Sequence, residues 1–192
     1  MSDNGVDKTE SGGLSPAVSY GLGAFFVLNI AMLASLPPVL RGRGAPYLPT
    51  FRTHREAMFR QLQQTVGRKK EVFVDLGSGD GRLVFAAAQT FRLSIGYESN
   101  PFLYIFSQGQ RFVRGPKYWA STRFYWQDLW TADLGEVDVV AVYGLGPIMK
   151  DLGQKLEREL PSGSLVVSNV FSVPGWTPVN TSLEGTHIYR MR

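Results

Sequence analysis

The sequence predicts an α/β fold, a mostly parallel sheet with helices on both faces, and three observations predict it. Strand and helix signals alternate from Glu71 to the last residue, which is the pattern of βαβ units joined by right-handed crossovers. The first strand signal, Val72 to Leu76, is a short apolar run, as in a strand buried on both sides. It ends in a glycine turn, VFVDLGSGDGR at 72–82, with three glycines in five positions.

The elements follow in order. Residues 1–16, rich in Ser, Gly and acids, read as a disordered tail. No charged residue occurs from Ser11 to Leu40. Within that stretch, 17–36 (AVSYGLGAFFVLNIAMLASL) has the length of a bilayer-spanning helix, ending at Pro37 and Pro38 before Arg41 and Arg43. The basic flank on its C-terminal side places the following domain on the positive-inside face. An acidic start argues against a cleaved leader, which is basic at the front. RGRGAPYLPT (41–50) is a linker or ordered loop. Thr53 to Val66 is an amphipathic helix with Met58, Leu62 and Val66 on one side. Residues 37–70 thus form a basic linker and helix, and 71–192 form the globular domain.

Within that domain Val72 to Leu76 is the first strand, Leu83 to Phe91 a helix, and Leu93 to Glu98 the second strand. Asn100 and Pro101 are the N-cap and first-turn pair of a helix over Phe102 to Phe112. Arg123 to Trp126, Val137 to Tyr143 and Ser164 to Val170 are three further strands. Ile148, Met149, Leu152, Leu156 and Leu160 recur at helical spacing between the last two, and GTHIYRMR reads as an antiparallel closing strand. The chain ends on this strand, the pattern of a shortened form.

Composition removes several chemistries. The 192 residues contain no cysteine, which excludes disulfides, thiolate zinc sites and cysteine nucleophiles. The two histidines, His54 and His187, are too far apart in sequence to suggest a metal site. The net charge of +4 comes from residues 41–70, where eight basic groups face Glu56 alone, while the domain beyond is close to neutral. Such a distribution argues against a broad nucleic-acid face on the globular part.

The glycine turn lies where an open parallel sheet binds its ligand, at the C-terminal end of the first strand. Its spacing is G-x-G-x-G, with Arg82 where a dinucleotide fingerprint needs a third glycine, and it lacks the Gly-Lys-Ser or Gly-Lys-Thr of a phosphate loop. Asp75 and Asp80 beside the turn would repel a pyrophosphate and attract an ammonium or a sulfonium. S-adenosylmethionine carries both. Glu98, ending the second strand, is placed to accept ribose hydroxyls, although alone it would fit a nicotinamide cofactor equally well. Asp128, after the third strand, is placed for the adenine amino group, or else caps the turn at Leu129 and Trp130. Asp75 is costly to bury without a partner. Arg82 pairs with a loop carboxylate, and Trp119, Trp126 and Trp130 are core or pocket wall rather than a stacking ladder for nucleic acid.

VDLGSGDGR, GYESNP, the DLW of Asp128 to Trp130, KLEREL and the W-T-P at Trp176 to Pro178 together resemble the mitochondrial seven-strand protein-lysine methyltransferases that modify the adenine nucleotide translocase and the ATP synthase c subunit. The resemblance runs from the apolar stretch to residue 192 and includes PYLPT. VDLGSG, Gly146-Pro147 and VVSNVF are also similar to histone methyltransferases of the Dot1 type. The Asn-Pro-Pro-Tyr signature of many amino-nitrogen methyltransferases is replaced by VYGLGP.

The resemblance implies a Rossmann-like, seven-strand class I methyltransferase fold behind an N-terminal transmembrane helix. It implies S-adenosylmethionine as cofactor, held by Asp75, Gly77, Ser78, Gly79, Gly81, Glu98 and Asp128, with Tyr47 closing the site. The expected acceptor is a lysine of a membrane-embedded protein, the translocase before the c subunit, reached through a channel lined by Tyr143, Phe171 and Trp176, unless these three simply pack between sheet and helix. The expected location is the mitochondrial inner membrane with the domain facing the matrix, and the stretch Arg41 to Lys70 is expected to meet anionic lipid. A small-molecule or quinone methyltransferase and a non-catalytic binding scaffold are the rival readings.

Overall fold

The computed structural model describes residues 15, 23, 26, 52–65, 71–143, 146–182 and 185–192, and within 52–65 the side chains are described from residue 55 onward. Tyr47, the 41–50 loop and, apart from Gly23 and Phe26, the apolar stretch 17–36 lie outside these residues. Among the described residues no helix is long and apolar enough to cross a membrane.

The elements are α1 (Arg52–Thr65), β1 (Val72–Leu76), α2 (Arg82–Ala87), β2 (Leu93–Glu98), α3 (Pro101–Arg114), α4 (Pro116–Ser121), β3 (Thr122–Trp126), β4 (Val139–Val142), α5 (Met149–Glu159), β5 (Leu165–Asn169), β6 (Asn180–Thr181) and β7 (Thr186–Arg190). The strands form one seven-stranded sheet in the order β3-β2-β1-β4-β5-β7-β6. The first five are parallel and β7 runs antiparallel to both β5 and β6. Strand order reverses at β1, which lies between β2 and β4, and so the crevice opens at its carboxyl end.

Side-chain alternation along each strand divides the core between the two faces of the sheet. Val74, Leu76, Val140, Val142, Val166 and Tyr189 pack with Met149, Leu152 and Leu156 of α5. Phe73, Val139, Ala141, Leu165, Val167 and Ile188 pack with Met58 and Leu62 of α1 and Leu83 and Ala87 of α2. Met58 and Leu62 of the expected apolar side of α1 are thus buried, while Val66 lies outside the described residues. Each such side chain removed from water contributes about 1.5–3 kcal/mol, and the two layers hold β1 rigidly beneath its glycine turn.

The two central strands β1 and β2 have the predicted bounds, and the Asn100 side chain caps α3 by accepting from the Phe102 and Leu103 amides. Two elements go beyond the sequence expectation: α4, which starts at Pro116 after Gly115, and the two-residue β6. The second predicted helix is shorter than expected, ending at Ala87, with turns continuing through Thr90 and Phe91. Trp130 packs against the core as expected, whereas Trp119 and Trp126 are exposed and so are not core residues, the edge strand β3 and the short α4 having no described layer outside them.

Candidate cofactor and acceptor site

The glycine turn folds back over β2. The Gly77 and Ser78 amides both donate to the Tyr97 carbonyl at 2.9 Å, and the Gly79 amide donates to Glu98 Oε2 at 2.7 Å. Gly77 and Gly81 have φ near +80°, in the left-handed region that side-chain-bearing residues rarely adopt. A Cβ on Gly77 would meet nothing within 4 Å, so the backbone there faces open space. A Cβ on Gly81 would collide with the Phe124 ring at 2.7 Å. The first glycine therefore bares the crevice, and the last lets the turn lie on β3.

Sequence reasoning missed Gly96, although a glycine inside a buried strand is a signal of close approach. A Cβ there would meet Ser78 Oγ at 2.6 Å and the Phe124 ring at 2.9 Å. Gly96 is the register partner of Asp75, so it makes room for the turn at the level of that acid.

Three carboxyl groups converge on the crevice. Asp75 is buried on β1, and burial first, then Glu98, then Asp80 push its carboxyl up to about 8. Every one of these contributions acts upward, so the pocket is short of positive charge. Glu98 is also raised by burial, against hydrogen bonds from the Asn100, Gly79 and Ser99 amides that favour its ionised form. Its Oε1 accepts from the Asn100 amide at 2.7 Å. Asp80 is neutralised locally by Arg82, whose Nε lies 2.9 and 3.0 Å from its two oxygens. The pairing expected for Arg82 is the one found.

Asp128 is exposed and its Oδ1 caps the turn at Leu129–Thr131 by accepting from the Trp130 amide at 3.1 Å. Nearby, Trp126 Nε1 donates to the Ser99 carbonyl, tying the end of β3 to the end of β2. Asp75, Gly77, Ser78, Gly79, Gly81 and Glu98 are brought together, and Asp128 stands at the end of the neighbouring strand β3. Tyr47 lies outside the described residues.

The residues fit a cationic nucleoside ligand. Ser78 Oγ is buried with no hydrogen-bond partner, the Gly77 backbone is bare, and the acids would welcome an ammonium and a sulfonium. Among the described residues no cluster of His, Cys, Asp or Glu could hold a metal ion.

The expected acceptor side lies past β4 and β5. Tyr143 directly follows β4, one position beyond the Leu76–Val142 pair, and is half-buried. Phe171 and Trp176 are half-buried against the α5 layer; Trp176 Nε1 donates to Glu157 at 2.6 Å and its ring meets Tyr189 edge-on. Between Asn169 and Phe171 the chain makes a γ-turn that the sequence did not announce. The Phe171 amide donates to the Asn169 carbonyl at 2.9 Å, and Val170 between them has φ 71°. A β-branched residue in that region is strained. Its amide donates to the Gly185 carbonyl at 2.8 Å, and Ser168 Oγ donates to the Phe171 carbonyl at 2.6 Å, so the surroundings fix the strain in place.

Comparison with known proteins gives a consistent result. Residues 75–180 match the family model described as the ANTKMT methyltransferase domain. The chain is 34% identical over 163 residues to the lysine N-methyltransferase of the ATP synthase c subunit from Rattus norvegicus, spanning 85% of this chain and 73% of the relative. It is 41% identical over 114 residues to the adenine nucleotide translocase lysine N-methyltransferase of Mus musculus, spanning 59% and 49%. Among solved structures it resembles an RNA methyltransferase from Salinibacter ruber in complex with S-adenosyl-L-homocysteine, with a TM-score of 0.64, 33% identity, and coverage of 75% of this chain and 92% of that one.

Proposed function

Since the chain belongs to the family of the ANTKMT methyltransferase domain, we propose that it is a protein-lysine N-methyltransferase acting on a membrane-embedded mitochondrial protein. We take the adenine nucleotide translocase as first substrate and the ATP synthase c subunit as second. The cofactor is S-adenosylmethionine, which when bound supplies an electrophilic methyl group on a sulfonium. The observation that carries the reading is the crevice at β1, where bare peptide at Gly77 and the acids Asp75 and Glu98 suit a cation.

In this reading Asp75, Gly77, Ser78, Gly79, Gly81 and Glu98 hold the cofactor, with Asp128 and, by resemblance, Tyr47 completing the site. A lysine ammonium has no lone pair, so the acceptor must be deprotonated before transfer. A desolvated channel lowers the amine pKa toward neutrality, and the proton leaves to solvent. Tyr143, Phe171 and Trp176 supply the apolar and aromatic walls that exclude water and align the amine. The apolar stretch 17–36 anchors the enzyme in the inner membrane, with the domain on the matrix side and the basic residues 41–70 against anionic headgroups. The translocase is supported by the higher identity, 41% over 114 residues, and the c subunit by the longer match, 34% over 163.

The test is transfer of a labelled methyl group by the full chain to mitochondrial membranes lacking the endogenous enzyme, with mass spectrometry of the labelled band. Label on the translocase is the expected result. Label on the c subunit would reverse the substrate order. Label confined to the lipid extract or to RNA would overturn the lysine reading, and cofactor binding without turnover on any fraction would leave a scaffold. Protease digestion of the domain from outside in intact mitoplasts would overturn the matrix orientation.

A further inference from the structure

Helix α3 has its amphipathic character turned outward. The face packed on the domain carries the buried Leu103 and Ser107. The opposite face carries Ile105, Phe106, Phe112 and Val113, which are 64, 50, 72 and 85% exposed. Positions 102, 105, 106, 109, 112 and 113 recur at the spacing of one helical face, and every one of them is apolar or glycine. Single exposed apolar residues are ordinary, whereas a continuous stripe marks an interaction surface.

The charge around the stripe is one-sided. Residues 99–127 contain four basic side chains and no acidic one. Arg111 and Arg123 both donate to the Trp119 carbonyl at 2.8 Å, and no carboxylate joins them among the described residues. Arg111 Nε is buried without a partner. Next to this pair the Phe112 and Trp119 rings stack at 5.7 Å between centroids. Indole and phenyl groups beside unneutralised guanidiniums, on a helix with an aliphatic outer stripe, are the features of a segment lying in the headgroup layer of a bilayer.

We infer that the outer face of α3, with α4 and the start of β3, is a docking surface for an anionic lipid bilayer. Ile105, Phe106, Phe112 and Val113 enter the acyl boundary, and the Arg111–Arg123 pair takes phosphate. This surface is built from residues later in the chain than the basic stretch 41–70, and it stands whichever acceptor takes the methyl group. A nucleic acid is the less suitable occupant, because the stripe presents Ile105 and Val113, which offer no ring for a base to stack on.

The chain has no cysteine, so single-cysteine variants of the full chain take one nitroxide each. Labels at Ile105→Cys and Val113→Cys, with Lys150→Cys at an exposed position of α5 as reference, are read by collision with oxygen and with a water-soluble nickel chelate. The vesicles are phosphatidylcholine with or without phosphatidylglycerol. With phosphatidylglycerol, nickel access should fall several-fold at the first two positions and stay unchanged at the third. Arg111→Gln or Arg123→Gln should weaken this docking about 5-fold each. Val113→Asp should return the Ile105→Cys label to water while S-adenosylhomocysteine still binds, which separates loss of docking from loss of fold. Labels that remain in water with both vesicles would overturn the inference. So would protection already present without lipid, which would mean that a second copy or the chain's own apolar stretch covers the face. Protection by single-stranded RNA but not by vesicles would overturn it as well.

Discussion

Glu98 Oε2 accepts the Gly79 amide at 2.7 Å across nineteen residues of chain, so the acid ending β2 holds the glycine turn that ends β1. Its other oxygen accepts from Asn100, and both bonds favour the ionised carboxylate over the protonated one. Glu98 therefore shapes the crevice before any ligand arrives.

Glu98→Gln should separate those two roles. The amide nitrogen introduced would face a backbone N–H that now finds an acceptor, and each charge-assisted hydrogen bond lost costs about 1.5–3 kcal/mol. Affinity for S-adenosylmethionine should fall by at least about 10-fold, with the circular dichroism spectrum unchanged. Calorimetric titration would measure it, and unaltered affinity would remove Glu98 from the site.

Asp75 gives a pH signature. Its carboxyl rises from an ordinary 3.8 to about 8 in the folded protein. A raised acid stabilises the fold fully below its unfolded pKa, and that contribution is lost as pH climbs toward the folded value. Ligand-free protein should thus lose stability as pH rises from the ordinary carboxylate range toward about 8, and Asp75→Asn should flatten this slope in denaturant melts. Binding the cationic cofactor at neutral pH should release a proton from Asp75, seen as a buffer-dependent binding enthalpy. The neutral sulfur of S-adenosylhomocysteine should release less.

Gly96→Ala tests the close approach of turn and strand. The added methyl would sit 2.6 Å from Ser78 Oγ and 2.9 Å from the Phe124 ring. Overpacking of this kind costs about 1–3 kcal/mol. A lower melting temperature together with weakened cofactor binding is the expected outcome. A variant that binds as tightly as wild type would show that the turn has slack.

Val170→Gly releases the γ-turn strain of about 1–2 kcal/mol, offset by about 0.5–1 kcal/mol of added chain entropy in the unfolded state. Stability should hold or rise by up to about 1 kcal/mol while methyl transfer slows, because the Phe171 ring loses its fixed exit from β5. Equilibrium unfolding and turnover measured on the same preparation would check the pair. Faster turnover would remove this turn from the acceptor channel.

The central architecture is legible in the sequence because β1 opens on the apolar run Val72–Val74 and ends in a glycine turn, and β2 ends at an Asn-Pro signal, and those signals are local. The crevice acids are legible for the same reason, since Asp75 and Glu98 stand at the carboxyl ends of strands and Asp80 lies in the glycine turn itself. Gly96, the Val170 turn and the outward face of α3 are not. Gly96 matters through Ser78 and Phe124, which come from other segments. Val170 is held left-handed by the Gly185 carbonyl, a partner that sequence cannot identify. The apolar positions of α3 announce a helix but do not reveal which side is covered. The exposure of Trp119 and Trp126 escapes the sequence on the same ground.

Asn100 joins two of the features above. Its amide donates to Glu98, which receives Gly79, while its side chain accepts from the Phe102 and Leu103 amides that start α3. An unbroken run of hydrogen-bonded partners thus links the floor of the crevice to the root of the helix. Opening one should open the others, so the Gly79 and Phe102 amides belong to a single cooperative unit in hydrogen exchange. Filling the crevice would then stiffen the base of α3 as well.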